Sequence, residues 1–439
     1  MTTIIQPPTG LHRGTSAAPS ATAPASSPAR TARDTSIDLA RAWCLVIVVG
    51  LHAFMVGVSV SSGAAQLENA MDGWSGFAAL SWLVQVMPLF FVLGGFSSLT
   101  QWSRLRTTGV TAHSYVARRM QRLLPPAFAA IGVTAVALFA LTLSGVPSEI
   151  VAIAGFRMGQ VLWFLGVYLL CTAAVPLMVL LHRRAPRATV GGLAAIVVAV
   201  DAVRLVTEVQ AIGFANLLFV WLLLQQFGFF LAEDRLPARR GSLLGGALVA
   251  LGSLLALCVS GVYSPDLYEN LNPPTVALVL LGTAQLFLFQ LARPALRKAA
   301  SVGPVAAAMN AVNARAMTIY SWHMLVLIGL AGLLLVTVGE GLPEPLSAAW
   351  WITRPAWFVV VAICVGVVVA LVGRREVAAA RIRSELSPPA WRAVTAFVLA
   401  SSGVLLVLVF GAAPAAWLAG AVLLLLTLAT VRGRAAGAL

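Results

Sequence analysis

Charge is what this sequence has least of. Only 10% of its 439 residues are charged, whereas an ordinary soluble domain carries about a quarter. So few charges cannot cover a water-soluble globule of this size, which leaves lipid to cover it. Acids are scarcer than bases, 15 against 29, and Lys298 is the single lysine. Cysteine is sparse too: Cys44, Cys171, Cys258 and Cys364 all lie in apolar runs. No CxxC spacing and no neighbouring histidine joins them in a zinc-like pattern, so neither a disulfide framework nor a metal site follows. They read as small buried hydrophobes.

Apolar residues are what the chain has in plenty, 60% of the whole, with a mean hydropathy of +0.92. Runs long enough to cross the hydrocarbon as helices recur to the end. They fall near 39–60, 77–99, 127–145, 158–181, 188–207, 214–232, 242–263, 275–292, 317–337, 354–373, 393–411 and 414–431. The expected fold is therefore all-α, a polytopic integral membrane bundle of about twelve transmembrane helices. Residues 1–36, rich in Pro, Ser, Thr and Ala, are expected to form a disordered cytoplasmic tail. No cleavable signal peptide is expected, since the first apolar run is long and lacks a nearby small-residue cleavage site.

The net charge of +14 first resembles a nucleic-acid footprint, but its distribution excludes that reading. With the tail assigned to the cytoplasm and the spans alternating, 26 of the 29 basic residues fall inside. Only Arg157, Arg204 and Arg354 fall in or beside outside loops, which carry Glu68, Asp72, Glu149, Asp266, Glu269, Glu340 and Glu344 instead. This positive-inside bias predicts an N-in, C-in orientation in a plasma membrane, with membrane lipid as the surrounding partner and no nucleic acid.

The first span, DLARAWCLVIVVGLH, carries Asp38, Arg41 and His52. At 100° per residue the three share one stripe of a helix, with His52 about 16 Å deeper than Arg41. Asp38 and Arg41 on their own read as an i,i+3 pair at a helix end. His52 differs, because an ionisable ring at mid-membrane depth points by default to a functional cavity.

These residues and four further segments resemble the acyltransferase-three family of integral membrane O-acyltransferases. The resemblance starts with R-x10-H, here Arg41 and His52. It continues through MPLFFVLGGF (87–96) and through SYVARRMQRLLPP (114–126), a basic loop with Arg119, Arg122 and Pro125 in R-x-x-R-x-x-P order. LWFLGVYL (162–169) and IYSWHMLVL (319–327) complete the set. Gly94 stands where the family commonly has Ser, so a role for that hydroxyl does not carry over; Gly94-Gly95 is expected to serve close helix packing instead. The resemblance implies a ten-helix acyltransferase domain over 37–373, with two additional transmembrane helices and a short tail over 374–439.

It also implies transfer of an acyl group, acetyl by expectation, from acyl-CoA to a hydroxyl of a carbohydrate, cell-envelope or natural-product acceptor in a bacterial cell. No permanently bound cofactor is expected. A neutral alcohol needs a base to take its proton during attack, and His52 is the candidate, with Arg41 beside it. Arg118, Arg119 and Arg122, with Asp38 at the same rim, are the candidates for holding CoA, because guanidinium forks bind phosphate oxygens in pairs. The competing reading of those arginines is the positive-inside rule itself.

Further polar positions are expected to line a substrate cavity: Asp201 and Arg204 in the fifth span, Trp163, Tyr320 and His323. Each has a structural alternative. Asp201 and Arg204 can neutralise each other one turn apart, Tyr320 and His323 can be packed core groups, and Trp163 can be an interfacial anchor. His12, His113 and His182 read as tail or loop residues without visible chemistry. The rival function is a secondary transporter, a class whose related halves and broken helices are not visible here. A scaffold would leave His52, Asp201 and Arg204 without a purpose.

Overall fold

Prolines, glycines and alternating residues interrupt several of the apolar runs of this chain. A computed structural model describes residues 34–61, 64–381 and 388–432; most of the expected N-terminal tail lies outside the described residues. From residue 35 onward the order is α1 (Thr35–Met55), β1 (Val56–Ser61), β2 (Ala64–Asn69), α2 (Phe77–Val84), α3 (Met87–Thr107), α4 (Ala112–Leu143), α5 (Ser148–Gln160) and α6 (Leu162–Arg184). Then follow α7 (Pro186–Thr207), α8 (Gln210–Gly213), α9 (Asn216–Ala232), α10 (Arg240–Val259), α11 (Val276–Ala300) and α12 (Gly303–Ala314). The last four are α13 (Ala316–Val338), α14 (Ala348–Arg381), α15 (Ala390–Phe410) and α16 (Pro414–Arg432). Twelve helical stretches among the described residues are long and apolar enough to cross a membrane, one for each expected span. The protein is a polytopic helical membrane protein.

Four spans differ from expectation. The first helix stops at Met55, not near residue 60, and the chain turns into an antiparallel hairpin pairing Val56 with Asn69 and Val60 with Ala65. The stretch VGVSVS alternates β-branched and small residues, a period of two that averaged hydropathy conceals. The third span starts at Ala112, so the basic segment 114–126 is the first part of a helix and not a loop. Thr111 caps that helix, its hydroxyl accepting from the Ser114 amide. The second and fourth spans are each built from two helices. One breaks at Gln85-Val86, just before Pro88 in the first turn of α3, and the other breaks at Val161.

Close packing fixes the bundle. A Cβ at Gly95 of α3 would collide with the Gln225 carbonyl of α9, and one at Gly228 of α9 with the Val92 carbonyl of α3. Small residues here let two backbones meet, as membrane helices require in the absence of a hydrophobic drive between them. Gly94 does not share this role: a Cβ there would meet nothing within 4 Å. Two large apolar clusters result. One joins α4, α5, α13, α14, α15 and α16; the other joins α3, α9 and α11 with parts of α1 and α6. Leu45 belongs to the first, Cys44 to the second, and Phe164 and Tyr168 touch both. The principal cavity lies along that seam.

Candidate active site

The cavity has a volume of about 280 Å³. From α1 it takes Arg41, Cys44, Leu45, Val48, Leu51 and His52, the single stripe that three- and four-residue spacing places on one face. The far end of this helix is pinned by Trp357 of α14, whose Nε1 donates to the Ala53 carbonyl at 2.8 Å. That bond satisfies a carbonyl the last turn leaves open. Its near end is tied by Asn313, whose Nδ2 donates to the Asp38 carbonyl at 2.8 Å.

His52 is half-buried, open to the cavity on one side and against His323 on the other. His323 is wholly buried, and its Nε2 lies 3.1 Å from Nδ1 of His52. The other nitrogen of His323, Nδ1, faces two acceptors of its own helix, the Tyr320 carbonyl at 2.7 Å and the Ile319 carbonyl at 3.2 Å. A carbonyl can only accept, so Nδ1 of His323 carries the proton there. With both rings neutral, His323 Nε2 then accepts from Nδ1–H of His52. The remaining nitrogen of His52, Nε2, is left with a bare lone pair. This is the tautomer a proton acceptor needs, and the hydrogen bond at the opposite nitrogen sets it.

One end of the cavity is cationic. Arg119 and Arg122 enter from α4, Arg41 from α1 and Arg315 from the junction of α12 and α13. Arg119 Nη2 donates to the Tyr168 hydroxyl at 2.8 Å, and Arg41, Arg119 and Arg122 all act electrostatically on that phenol. Nε of Arg119 is buried and has no hydrogen-bond partner among the described residues. Pro125 and Pro126 matter here as well. Lacking N–H groups, they leave the carbonyls of Gln121 and Arg122 without helical donors, and both residues line the cavity. From this end the lining continues past His52 to Tyr268 and Leu271, in the segment between α10 and α11.

The structure thus brings Arg41, His52, Arg119, Arg122, Trp163 and Tyr320 to one cavity, with His323 directly behind His52. Trp163 forms part of the wall, its ring 5.8 Å from that of Trp221. Tyr320 donates its hydroxyl to the Val161 carbonyl at 2.6 Å, at the break between α5 and α6. Arg118 and Asp38 are not among the lining residues.

Asp201 and Arg204 are not among the residues that line this cavity. They form an i,i+3 ion pair at 3.5 Å away from the cavity. Asp201 Oδ2 also accepts from the Tyr263 hydroxyl and the Val276 amide, both at 2.7 Å, and Oδ1 from Asn216 Nδ2 at 3.4 Å. So many donors make Asp201 a knot joining α7, α9 and the start of α11. His182 corrects the reading of a loop histidine: it is buried in the last turn of α6 between Gln226 at 2.8 Å and Glu233 at 3.3 Å. Sequence reasoning also assigned no role to Tyr168 and Arg315. Tyr168 sits inside the LWFLGVYL segment, one turn after Phe164 and stacked on it at 5.6 Å, so an i,i+4 aromatic pair was its available signal.

Among the described residues, twelve apolar helical stretches and a cavity lined by a histidine and several arginines mark a polytopic membrane protein with a polar interior site. Residues 34–375 match the family described as "Acyltransferase domain", more than three quarters of the chain. The chain belongs to the acyltransferase-three family, and it is a membrane acyltransferase that moves acyl groups other than aminoacyl groups. No curated protein and no solved structure matches it.

Proposed function

We propose that this acyltransferase moves a short acyl group, acetyl first among candidates, from acyl-CoA to a hydroxyl of a carbohydrate, cell-envelope or natural-product acceptor, with His52 as the base. The observation that carries this reading is His52 at the cavity with its Nδ1 3.1 Å from Nε2 of His323, whose own Nδ1 faces two carbonyls, an arrangement that makes Nε2 of His52 the accepting nitrogen. As the acceptor oxygen attacks the thioester carbonyl, its proton passes to Nε2 and an O–C bond forms. The C–S bond then breaks, and the departing CoA sulfur takes the proton back from the imidazolium. His52 ends neutral, so the cycle balances.

Arg119, Arg122 and Arg41 are the residues proposed for CoA's phosphates, since planar guanidinium forks suit phosphate oxygens. Arg118 and Asp38 flank this end on α4 and α1 and are secondary candidates. The positive-inside distribution of the arginines supports an N-in, C-in orientation in a bacterial plasma membrane. That orientation turns the cationic end toward cytoplasmic CoA. Residues 37–373 are proposed as the acyltransferase domain, with 374–439 added to it.

The test uses detergent-purified protein, acetyl-CoA and an envelope and metabolite extract from a deletion strain. Extract-dependent release of CoA thiol, together with a new ester in the extract, is the expected result. Release that never occurs with any acyl-CoA would sink the donor assignment.

A further inference from the structure

Tyr168 of α6 stands among the arginines of the principal cavity, half-buried in its wall. Two aromatic rings hold its own ring: Phe164 one turn earlier, stacked at 5.6 Å, and Phe90 of α3 at 6.5 Å. A tyrosine held by its apolar body has its polar tip aimed by that packing. Here the tip meets Arg119 of α4, whose Nη2 donates to the hydroxyl oxygen at 2.8 Å. The guanidinium carbon lies 5.8 Å from the centre of the phenol ring.

That bond leaves a donor over. A guanidinium has N–H groups and no acceptor, whereas a phenol both accepts and donates. The O–H proton of Tyr168 therefore cannot be returned to Arg119, which is the hydroxyl's sole hydrogen-bond partner among the described residues. The charges around it point to what takes that proton. Arg41 and Arg122 act on the same phenol, and Arg315 lines the same cavity. No aspartate or glutamate is among the lining residues. Four cations facing one space without a carboxylate call for an anion from solution, because a charge withdrawn from water is costly until it is paired.

We infer that Tyr168 is a binding residue of the donor site, orienting Arg119 through its oxygen and donating its O–H to a phosphate oxygen of CoA. The inference rests on the acyl-CoA reading above. Arg119 and Tyr168 then hold one phosphate group together, one with a charged donor and the other with a neutral one. A phenol suits this place better than a further arginine. It adds a donor without adding repulsion among the cations, and it supplies the acceptor that fixes Arg119.

The experiment measures dissociation constants of acetyl-CoA and of acetyl-pantetheine, which lacks the phosphates, for the purified full-length protein and Tyr168→Phe. The variant keeps the ring and its stacking and loses only the hydroxyl. Its affinity for acetyl-CoA should fall roughly 10- to 100-fold, the scale of a lost hydrogen bond to a charged group, with acetyl-pantetheine unaffected. The loss should shrink when Arg119→Ala is already present, since two groups holding one phosphate are coupled. If Tyr168→Phe does not fold, 3-fluorotyrosine at position 168 keeps the hydroxyl. Its fluorine NMR signal should then shift with acetyl-CoA and stay in place with acetyl-pantetheine. An equal loss for both ligands would reduce Tyr168 to packing, and unchanged acetyl-CoA affinity would remove it from the donor site; either overturns the inference and leaves the donor reading standing. Absence of acyl-CoA binding by the wild type would overturn the donor reading, and the role of Tyr168 with it.

Discussion

His323 Nε2 stands 3.1 Å from His52 Nδ1, so the ring that faces the cavity is oriented from a helix 271 residues further along the chain. With Nδ1 of His52 donating to His323, its Nε2 is the nitrogen left to accept a proton. His52→Ala should lower turnover by about 10²- to 10⁴-fold, the usual contribution of a general base. Acyl-CoA affinity should stay near wild type, because the arginines sit at the cationic end. His52→Gln keeps a hydrogen bond to His323 without a basic nitrogen. Near-normal turnover in the Gln variant would reduce His52 to an orienting group.

The role proposed for His323 is positioning, and it separates from a structural role by rescue. His323→Gln retains an acceptor for His52 Nδ1–H, whereas His323→Phe retains the ring's bulk and no acceptor. The Phe variant should lose roughly 10- to 100-fold in kcat, by analogy with loss of the outer hydrogen-bond partner of a metal-bound imidazole. The Gln variant should recover most of that loss, with KM for acyl-CoA unchanged in both. Equal loss in Phe and Gln variants would mean that His323 serves packing alone.

Much of this arrangement was legible from the sequence, and the unread parts have a common cause. Arg41 and His52 could be placed on one stripe because helical periodicity is local, and the span order followed from hydropathy alone. The partner of His52 was not legible, since a hydrogen bond between α1 and α13 leaves no mark in either segment. The surroundings of Asp201 and Arg204 were not legible for the same reason. Their spacing announces a pair, but the donors that saturate it, Tyr263 and the Val276 amide, come from another part of the chain. The hairpin after Met55 was hidden because valine and alanine raise mean hydropathy in strands as in helices. Tyr320 illustrates an intermediate case: its segment was recognisable, but the carbonyl it binds lies on another helix, at the break of the fourth span.

Arg119 tests the donor site. It combines a bond to the Tyr168 hydroxyl with an Nε that lacks a partner among the described residues. Arg119→Ala and Arg122→Ala should each weaken acyl-CoA binding, by about 1.5–3 kcal/mol for a lost charged hydrogen bond. Lysine at either position should restore only part of the affinity, because a point charge cannot form the paired contact. Titration calorimetry of the purified variants reads this directly. Unchanged affinity in the Arg119→Ala, Arg122→Ala double variant would return both residues to their topological role.

Asp201 makes the opposite prediction, loss of stability with the site intact. Removing its carboxylate leaves Arg204, Tyr263, Asn216 and the Val276 amide without their shared acceptor. Asp201→Ala should cost about 3–5 kcal/mol, as does breaking other buried ion pairs on one side. A clear drop in the thermal unfolding midpoint in detergent is expected, with unaltered acyl-CoA affinity in the protein that remains folded. A stable variant with altered acceptor preference would instead support the substrate-cavity reading for this pair.

The orientation proposal decides which compartment meets the cationic end of the cavity, and it is testable without any knowledge of the acceptor. A reporter inserted between α9 and α10, in the 233–239 segment beside Arg235 and Arg239, should be cytoplasmic. One inserted between α10 and α11, near Asp266, should be external, because a single span separates the two sites. A third reporter fused after Leu439 should be cytoplasmic. The physical basis is the cost of moving arginine-rich segments across the membrane, which biases them to the inner side. If the reporter near Asp266 proves cytoplasmic and the one in 233–239 external, Arg41, Arg119 and Arg122 face outward. Cytoplasmic CoA could then no longer be the donor held by these arginines.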